Sequence, residues 1–411
     1  MSDRPPRDGH GVTSPNRVSP LRFVLAFGLV SMMADFVYEG ARSVIGPYLA
    51  TFGASAAVVG VVTGAGEAVA LVLRMATGRI SDRTGRHWAL SVAGYAITVV
   101  SVPLLAVAGP LWSAVTLIIS ERFGKAVRTP ARDTMLAQAG VSIGRGWAFA
   151  VHEALDQTGA LAGPLLIALM LALTGNYRLG FAVLAVPGIA ALVLIARLRA
   201  QAPAPADFDP DTTPRRSKAG AQRIATGGFS PRFWNYAGFT ALSVAGYATF
   251  AVLAYHLQVR HVLLIAEIPL VYAVAMAAAA LAALASGRLY DRIGLRGLVV
   301  LPVLTAAVPF LSFSLSPALV FAGAVAWGAA MGLHESTMRA AVADLVPAER
   351  RGTGYGTFTA VYGAAWLAGS AAIGALYGYS IDAAITFTVV IEALALMAFI
   401  PLLRRPALRA G

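Results

Sequence analysis

Gly78-Arg79-Ile80-Ser81-Asp82-Arg83-Thr84-Gly85-Arg86 returns as Gly287-Arg288-Leu289-Tyr290-Asp291-Arg292-Ile293-Gly294-Leu295, each copy between two apolar stretches long enough to cross a bilayer. The copies lie 209 residues apart in a chain of 411. A loop that recurs after half the chain, in the same place relative to its hydrophobic flanks, predicts two like-oriented halves.

Composition places both halves in a membrane. The chain is 58% hydrophobic and 13% charged, with mean hydropathy +0.70, whereas soluble domains carry about 25% charged residues. The absence of cysteine excludes disulfides and thiolate metal sites. A net charge of +12 would suit a nucleic-acid partner, but where the charges lie gives a simpler cause.

Residues 1–20 are polar and hold Pro5, Pro6, Pro15 and Pro20, the pattern of a disordered tail. Residues 21–198 then form the first half, with apolar runs near 21–51, 56–77, 88–108, 111–128, 147–173 and 179–198. The first run is too long for the core of a cleaved signal peptide and is followed by further spans, so it is expected to be retained. A polar linker at 199–233 is rich in proline and arginine. The second half, 234–403, has runs near 234–257, 264–286, 298–315, 318–341, 354–377 and 382–403, before a short tail at 404–411. The expected fold is an all-α membrane protein of twelve transmembrane helices in two six-helix bundles.

With both termini cytoplasmic, the inner connections carry Arg79, Arg83, Arg86, Lys125, Arg128, Arg132, Arg145, the linker cluster, Arg288, Arg292, Arg296, Arg350, Arg351, Arg404 and Arg405, while outer loops keep Arg178 and Arg260. Positive residues resist translocation, so this asymmetry favours termini-in and explains the basic charge without nucleic acid. The expected location is a bacterial inner membrane.

Topology accounts for the loop arginines but not for the paired glycine and aspartate. Asp82 beside a helix end can accept backbone N–H groups from a neighbouring helix terminus, and Gly78 and Gly85 permit a tight turn and close approach. Gly287, Asp291, Arg292 and Gly294 repeat the arrangement, with Leu295 where the first copy has Arg86. The G-R-x-x-D-R-x-G loop after spans two and eight resembles the signature loop of the major facilitator superfamily, over essentially the whole chain. The resemblance implies alternating access, with Asp82 and Arg83 latching the outward-facing arrangement. The strings Arg122-Phe123-Gly124-Lys125-Ala126-Val127-Arg128-Thr129-Pro130-Ala131-Arg132-Asp133 and Arg351-Gly352-Thr353-Gly354-Tyr355-Gly356 are similar to those of bacterial efflux permeases of that superfamily.

Charges inside the spans are the site candidates, because each mid-bilayer carboxylate costs about 2.5–3.5 kcal/mol to insert. Asp35, Glu39 and Arg42 are spaced four and three apart, on one helical face. Glu39 with Arg42 is the expected ion pair, which leaves Asp35 the freer proton carrier. Glu67 is placed to meet Arg42 across the first two helices. In span five, His152, Glu153 and Asp156 precede Gly159, Gly163 and Pro164. That glycine spacing resembles the span-five pattern of proton-coupled drug antiporters, although Ile167 and Ala168 stand where that pattern has glycines; small-residue packing is the alternative, and Pro164 predicts a kink. His334, Glu335 and Tyr247 are cavity candidates, and Glu335 is spaced to pair with Arg339.

These residues predict a secondary active transporter, with Asp35, Glu39, Glu67 or Asp156 taking a proton and a small, largely apolar organic compound expelled. One charge moving through 100 mV releases about 2.3 kcal/mol, enough to drive such a cycle. The alternatives are export of a divalent metal such as nickel or cobalt on the same acids and histidines, and uptake of an organic anion by Arg42 and Arg74. No G-x-x-x-x-G-K-[ST] loop for ATP and no nucleophile-and-base constellation occurs, so neither a pump nor an enzyme is expected. Expected partners are a small-molecule substrate, protons and lipid, with no cofactor, no resident metal and a monomeric state.

Overall fold

A computed structural model describes residues 17–208, 229–346 and 351–403, apart from the side chains of Asp291 and of residues 336–341, 343, 344 and 351–353. The tail before residue 17, most of the linker, the tail after 403, the Asp291 side chain and the expected Arg339 partner lie outside the described residues. The described residues form helices α1 (Pro20–Arg42), α2 (Ile45–Ala50), α3 (Ala56–Thr84), α4 (His87–Leu104), α5 (Leu111–Ala139), α6 (Arg145–Thr174), α7 (Tyr177–Val183), α8 (Ala185–Gln201), α9 (Pro231–Gly246), α10 (Phe250–Val259), α11 (Ile268–Ile293), α12 (Val300–Ser312), α13 (Pro317–Leu345), α14 (Arg351–Tyr379) and α15 (Ile381–Leu403).

These make twelve crossings, because α1–α2, α7–α8 and α9–α10 are broken spans. Eleven are long and apolar enough to cross a membrane. The twelfth is α5, whose second half carries Glu121, Arg122, Lys125, Arg128, Arg132 and Asp133. The sequence expectation ended this span at residue 128 and gave Lys125, Arg128 and Arg132 to a cytoplasmic connection. The helix instead continues unbroken to Ala139. Charge density mimicked a loop, yet positions 122, 125, 128 and 132 keep helical spacing and so face one way.

A second correction concerns the repeated loop. Gly78, Asp82 and Arg83 lie in the last turns of α3, and Gly287 and Arg292 in those of α11, so the turn proper begins at the following glycine. Gly85 has φ +63° and Gly294 φ +60°, both left-handed, where a side chain would be strained. The linker also starts later than residue 199. α8 runs to Gln201, Trp88 donates its indole N–H to the Ala202 carbonyl at 3.0 Å, and Phe208 packs on Phe23 with ring centroids 5.3 Å apart.

Glycines set the helix contacts within each half. An added Cβ at Gly159 or Gly163 of α6 would collide with the carbonyl oxygens of Met32 and Phe36 on α1, and one at Gly369 of α14 with Ala245 on α9. The span-five glycines are therefore packing residues, with Pro164 inside the same helix.

The halves meet most tightly on the face away from the chain termini. There α2 and α10 touch, with Gly46 against the Ala251 carbonyl, and α3 lies along α14, with Gly60 against the Ser370 carbonyl and Gly374 against that of Ala56. Thr63 and Thr249 share a 3.1 Å hydroxyl contact, and Tyr177 donates to Gln258 at 2.9 Å. Two of the three broken spans, interrupted at Ser43–Val44 and at Tyr247–Thr249, supply most of this seal, and Tyr177 of the third adds to it.

Candidate functional site

Below the seal the halves separate around a cavity of about 350 Å³, joined to a second lobe of about 120 Å³ through shared walls at Arg42, Arg74, Lys125, Met331 and Glu335. On the terminus side Glu153 is exposed and the Asp133 side chain is 43% exposed, so the cavity reaches solvent there. Access is one-sided: closed at the seal and open toward the termini.

The N-terminal half supplies an ion-pair network to this space. Arg128 of α5 donates to Asp35 of α1 at 3.0 Å and stacks on Tyr95, its guanidinium carbon 4.5 Å from the ring centroid. Glu67 of α3 lies between two guanidiniums, 3.0 Å from Arg42 and 2.9 Å from Arg122. Both arginines also donate to the Tyr38 hydroxyl. Arg122 approaches Glu121 at 3.4 Å. Arg132 reaches Asp156 at 3.4 Å and Asp133 at 2.9 Å. Opposite charges at these distances offset the cost of removing each from water.

The expected Glu39–Arg42 ion pair is present, at 3.8 Å, and both acids of α1 also find partners on other helices. Asp35, expected to be the freer of the two, is ion-paired with Arg128 at 3.0 Å, while Glu39 also accepts from the Tyr272 hydroxyl of α11 at 2.5 Å. Tyr272 belongs to the other half, so Glu39 ties the two halves together. Local spacing placed Glu39 beside Arg42; packing against α5 and α11 added Arg128 as the partner of Asp35 and Tyr272 as a second partner of Glu39.

The remaining candidates divide. Glu153 and Asp156 line the main cavity, and His334 and Glu335 line the joined lobes. His152 is 3% exposed and sits behind the wall, with Nε2 2.8 Å from the Ser31 hydroxyl and Nδ1 3.6 Å from Asp156. Tyr247 is not a cavity residue: it is fully buried, stacked on Trp327 and donating to its carbonyl at 3.0 Å. Asp82 and Arg86 are exposed, and Asp82 has no hydrogen bond or ion pair among the described residues. Among the described residues no three His, Asp or Glu side chains converge as metal ligands.

Six acidic or basic residues were missed as site candidates: Lys125, Arg128 and Arg132, which were given to a cytoplasmic connection, and Glu121, Arg122 and Glu392. Glu121 and Arg122 fell at the expected span end, and Glu392 on α15 is 1% exposed beside Gly246 of α9. Glu392 was legible as a lone acid in an apolar run.

Comparison with known proteins agrees with this architecture. The sequence profile of the Major Facilitator Superfamily matches residues 27–264 and again 240–410. Uncharacterized proteins of Mycobacterium bovis and Mycobacterium tuberculosis are each 50% identical over 391 residues, covering 95% of this chain and 94% of theirs. Among solved structures, the nucleoside transporter NupG is 11% identical with TM-score 0.71 over 93% of this chain and 100% of its own. A bacterial homolog of the human lysosomal transporter Spinster, inward-facing and unoccupied, is 17% identical with TM-score 0.71 over 94% and 99%. The chain belongs to the Major Facilitator Superfamily. It is a multi-pass membrane protein of the secondary transporter class, a class of carriers rather than enzymes.

Proposed function

We propose that the protein is a proton-coupled transporter of the cytoplasmic membrane, with both termini cytoplasmic, that moves a small organic solute by alternating access. The observation that carries the coupling is Glu39: a cavity-lining carboxylate bonded across the two halves to Tyr272, and held by Arg42 only at 3.8 Å. A group that gates must lie where the halves part, and must change charge without stranding a close cation. Protonating Glu67 would leave Arg42 and Arg122 facing each other, whereas protonating Glu39 leaves no guanidinium closer than 3.8 Å without its partner. Bundle parting on the seal side breaks the Glu39–Tyr272 bond, so proton loading and rocking share one contact.

The basic loops support the orientation, which makes the described opening a cytoplasmic one. Efflux of a largely apolar compound is the part of the expectation this cavity supports least, since its N-terminal wall is charged. Divalent-metal export finds no support in the geometry of the described residues.

Flux in proteoliposomes under an imposed pH gradient tests the coupling. Glu39→Gln is expected to abolish gradient-driven flux while keeping solute exchange without a gradient. Unchanged gradient-driven flux in that variant would reject Glu39 as the coupling group.

A further inference from the structure

The smaller lobe has walls of two kinds. Its N-terminal side presents Arg42, Arg74 and Lys125; its C-terminal side presents Tyr355, Phe358, Tyr362 and Trp366 of α14. Two donors on these walls lack an acceptor. The Lys125 ammonium has no carboxylate within 4 Å and no hydrogen bond among the described residues; it rests 3.9 Å from the centroid of the Tyr38 ring. Trp366 is 3% exposed, and its indole N–H has no hydrogen-bond acceptor among the described residues. A buried indole N–H normally finds a partner, and a ring face is a weaker partner for an ammonium than an anion is.

The acids nearby do not fill this need. Glu67, which also lines the lobe, is engaged by two guanidiniums; Glu335, on the shared wall, is exposed and lies more than 4 Å from the Lys125 ammonium; and Glu39 lines the other lobe and is bonded to Tyr272. What the Lys125 ammonium and the Trp366 N–H lack is an anionic acceptor of their own beside the aromatic surface.

We propose that the cargo is an amphipathic aromatic anion, its acidic head taken by Lys125 and the Trp366 N–H and its ring laid against the α14 aromatics. This rests on the reading of the protein as a transporter and names the class of solute that the same cavity selects. The head exchanges the Tyr38 ring for a charge-assisted hydrogen bond at Lys125. The ring gains offset or edge contacts with Phe358 and Tyr362.

The test is calorimetric titration of the purified full chain with three isosteric probes and an aliphatic control. The permanently charged 2-naphthalenesulfonate is expected to bind, 2-naphthalenesulfonamide to bind at least about tenfold more weakly, and a naphthylmethyl trimethylammonium ion and methanesulfonate more weakly still. Lys125→Gln is expected to lower sulfonate affinity about tenfold or more, with the sulfonamide unaffected, and Lys125→Arg to restore it, which separates charge recognition from misfolding. Tighter binding of the ammonium probe, equal sulfonate affinity in Lys125→Gln, or no sulfonate binding by the parent would overturn the proposal. Failure of the coupling reading looks different: sulfonate recognition through Lys125 persists, but flux ignores the pH gradient. Conversely, gradient-driven flux of the ammonium probe alone keeps the transporter and discards the anion.

Discussion

The two halves share a scaffold and differ in what fills it. In the N-terminal half, α3 and α5 are held apart by side chains: an added Cβ at Gly66 would meet the Arg122 side chain at 3.0 Å, and Arg122 reaches across to Glu67. The corresponding pair in the C-terminal half, α11 and α13, is in backbone contact, with Gly328 and Gly332 against the carbonyls of Ala275 and Ala279. At the 209-residue offset that relates the two loops, Glu67 corresponds to Met276. Between these matched helix pairs, one half therefore places charge pairs and the other close backbone packing, and the C-terminal half adds stacked rings such as Tyr247–Trp327 and Tyr236–Phe358. A repeat fixes where helices run, but each copy is free to assign its cavity face separately. Here one copy became the electrostatic wall and the other the aromatic wall of a single chamber.

The largest effect that would break this comparison is at Arg122. Arg122→Met removes a 3%-exposed guanidinium from Glu67, Glu121 and Tyr38 at once, and breaking such a buried pair costs about 3–5 kcal/mol. Thermal unfolding in detergent is expected to show a marked drop; a melting temperature equal to that of the parent would mean that the network contributes nothing to holding α3 on α5.

A matched glycine pair sharpens the contrast at intermediate size. Gly328→Val drives a branched side chain into the Ala275 carbonyl, a backbone atom that cannot step aside, and overpacking of this kind costs about 1–3 kcal/mol. Gly66→Ala meets the Arg122 Cγ at 3.0 Å, where a shift of a few tenths of an ångström in a side chain relieves the contact, and it is expected to cost less than Gly328→Val. Equal losses at the two positions would show that the halves pack alike after all.

The smallest stability effect is expected at Asp82. It is exposed, so Asp82→Asn should leave unfolding unchanged within about 0.5 kcal/mol, while slowing turnover because a charged helix-end contact is lost in the opposite conformation. Wild-type turnover in proteoliposomes would remove Asp82 from the cycle.

Much of this was legible before any coordinates. Hydropathy runs located all twelve spans, the fourth with its end set too early, because a membrane demands apolar length whatever the neighbouring helices do. The in-span acids Asp35, Glu39, Glu67 and Asp156 stood out for the same reason. Misreadings gathered where two signals compete. In α5, charge density argued for a loop against a helical spacing that argued for continuation. At Tyr247, the sequence could not say whether a span-end aromatic faces the cavity or the bundle core.

The chain's composition, its repeated loop and the depth of its ionisable residues determined a twelve-helix, two-part membrane carrier. Tertiary structure alone decided which charges meet: Asp35 with Arg128, Glu67 with Arg122, and Glu39 with Tyr272 across 233 residues of chain. Crossing a bilayer is a property of each segment by itself, so it can be read one helix at a time. Pairing inside the bundle depends on which faces neighbouring helices turn toward each other, and glycines and side-chain volumes distributed over the whole fold set those faces.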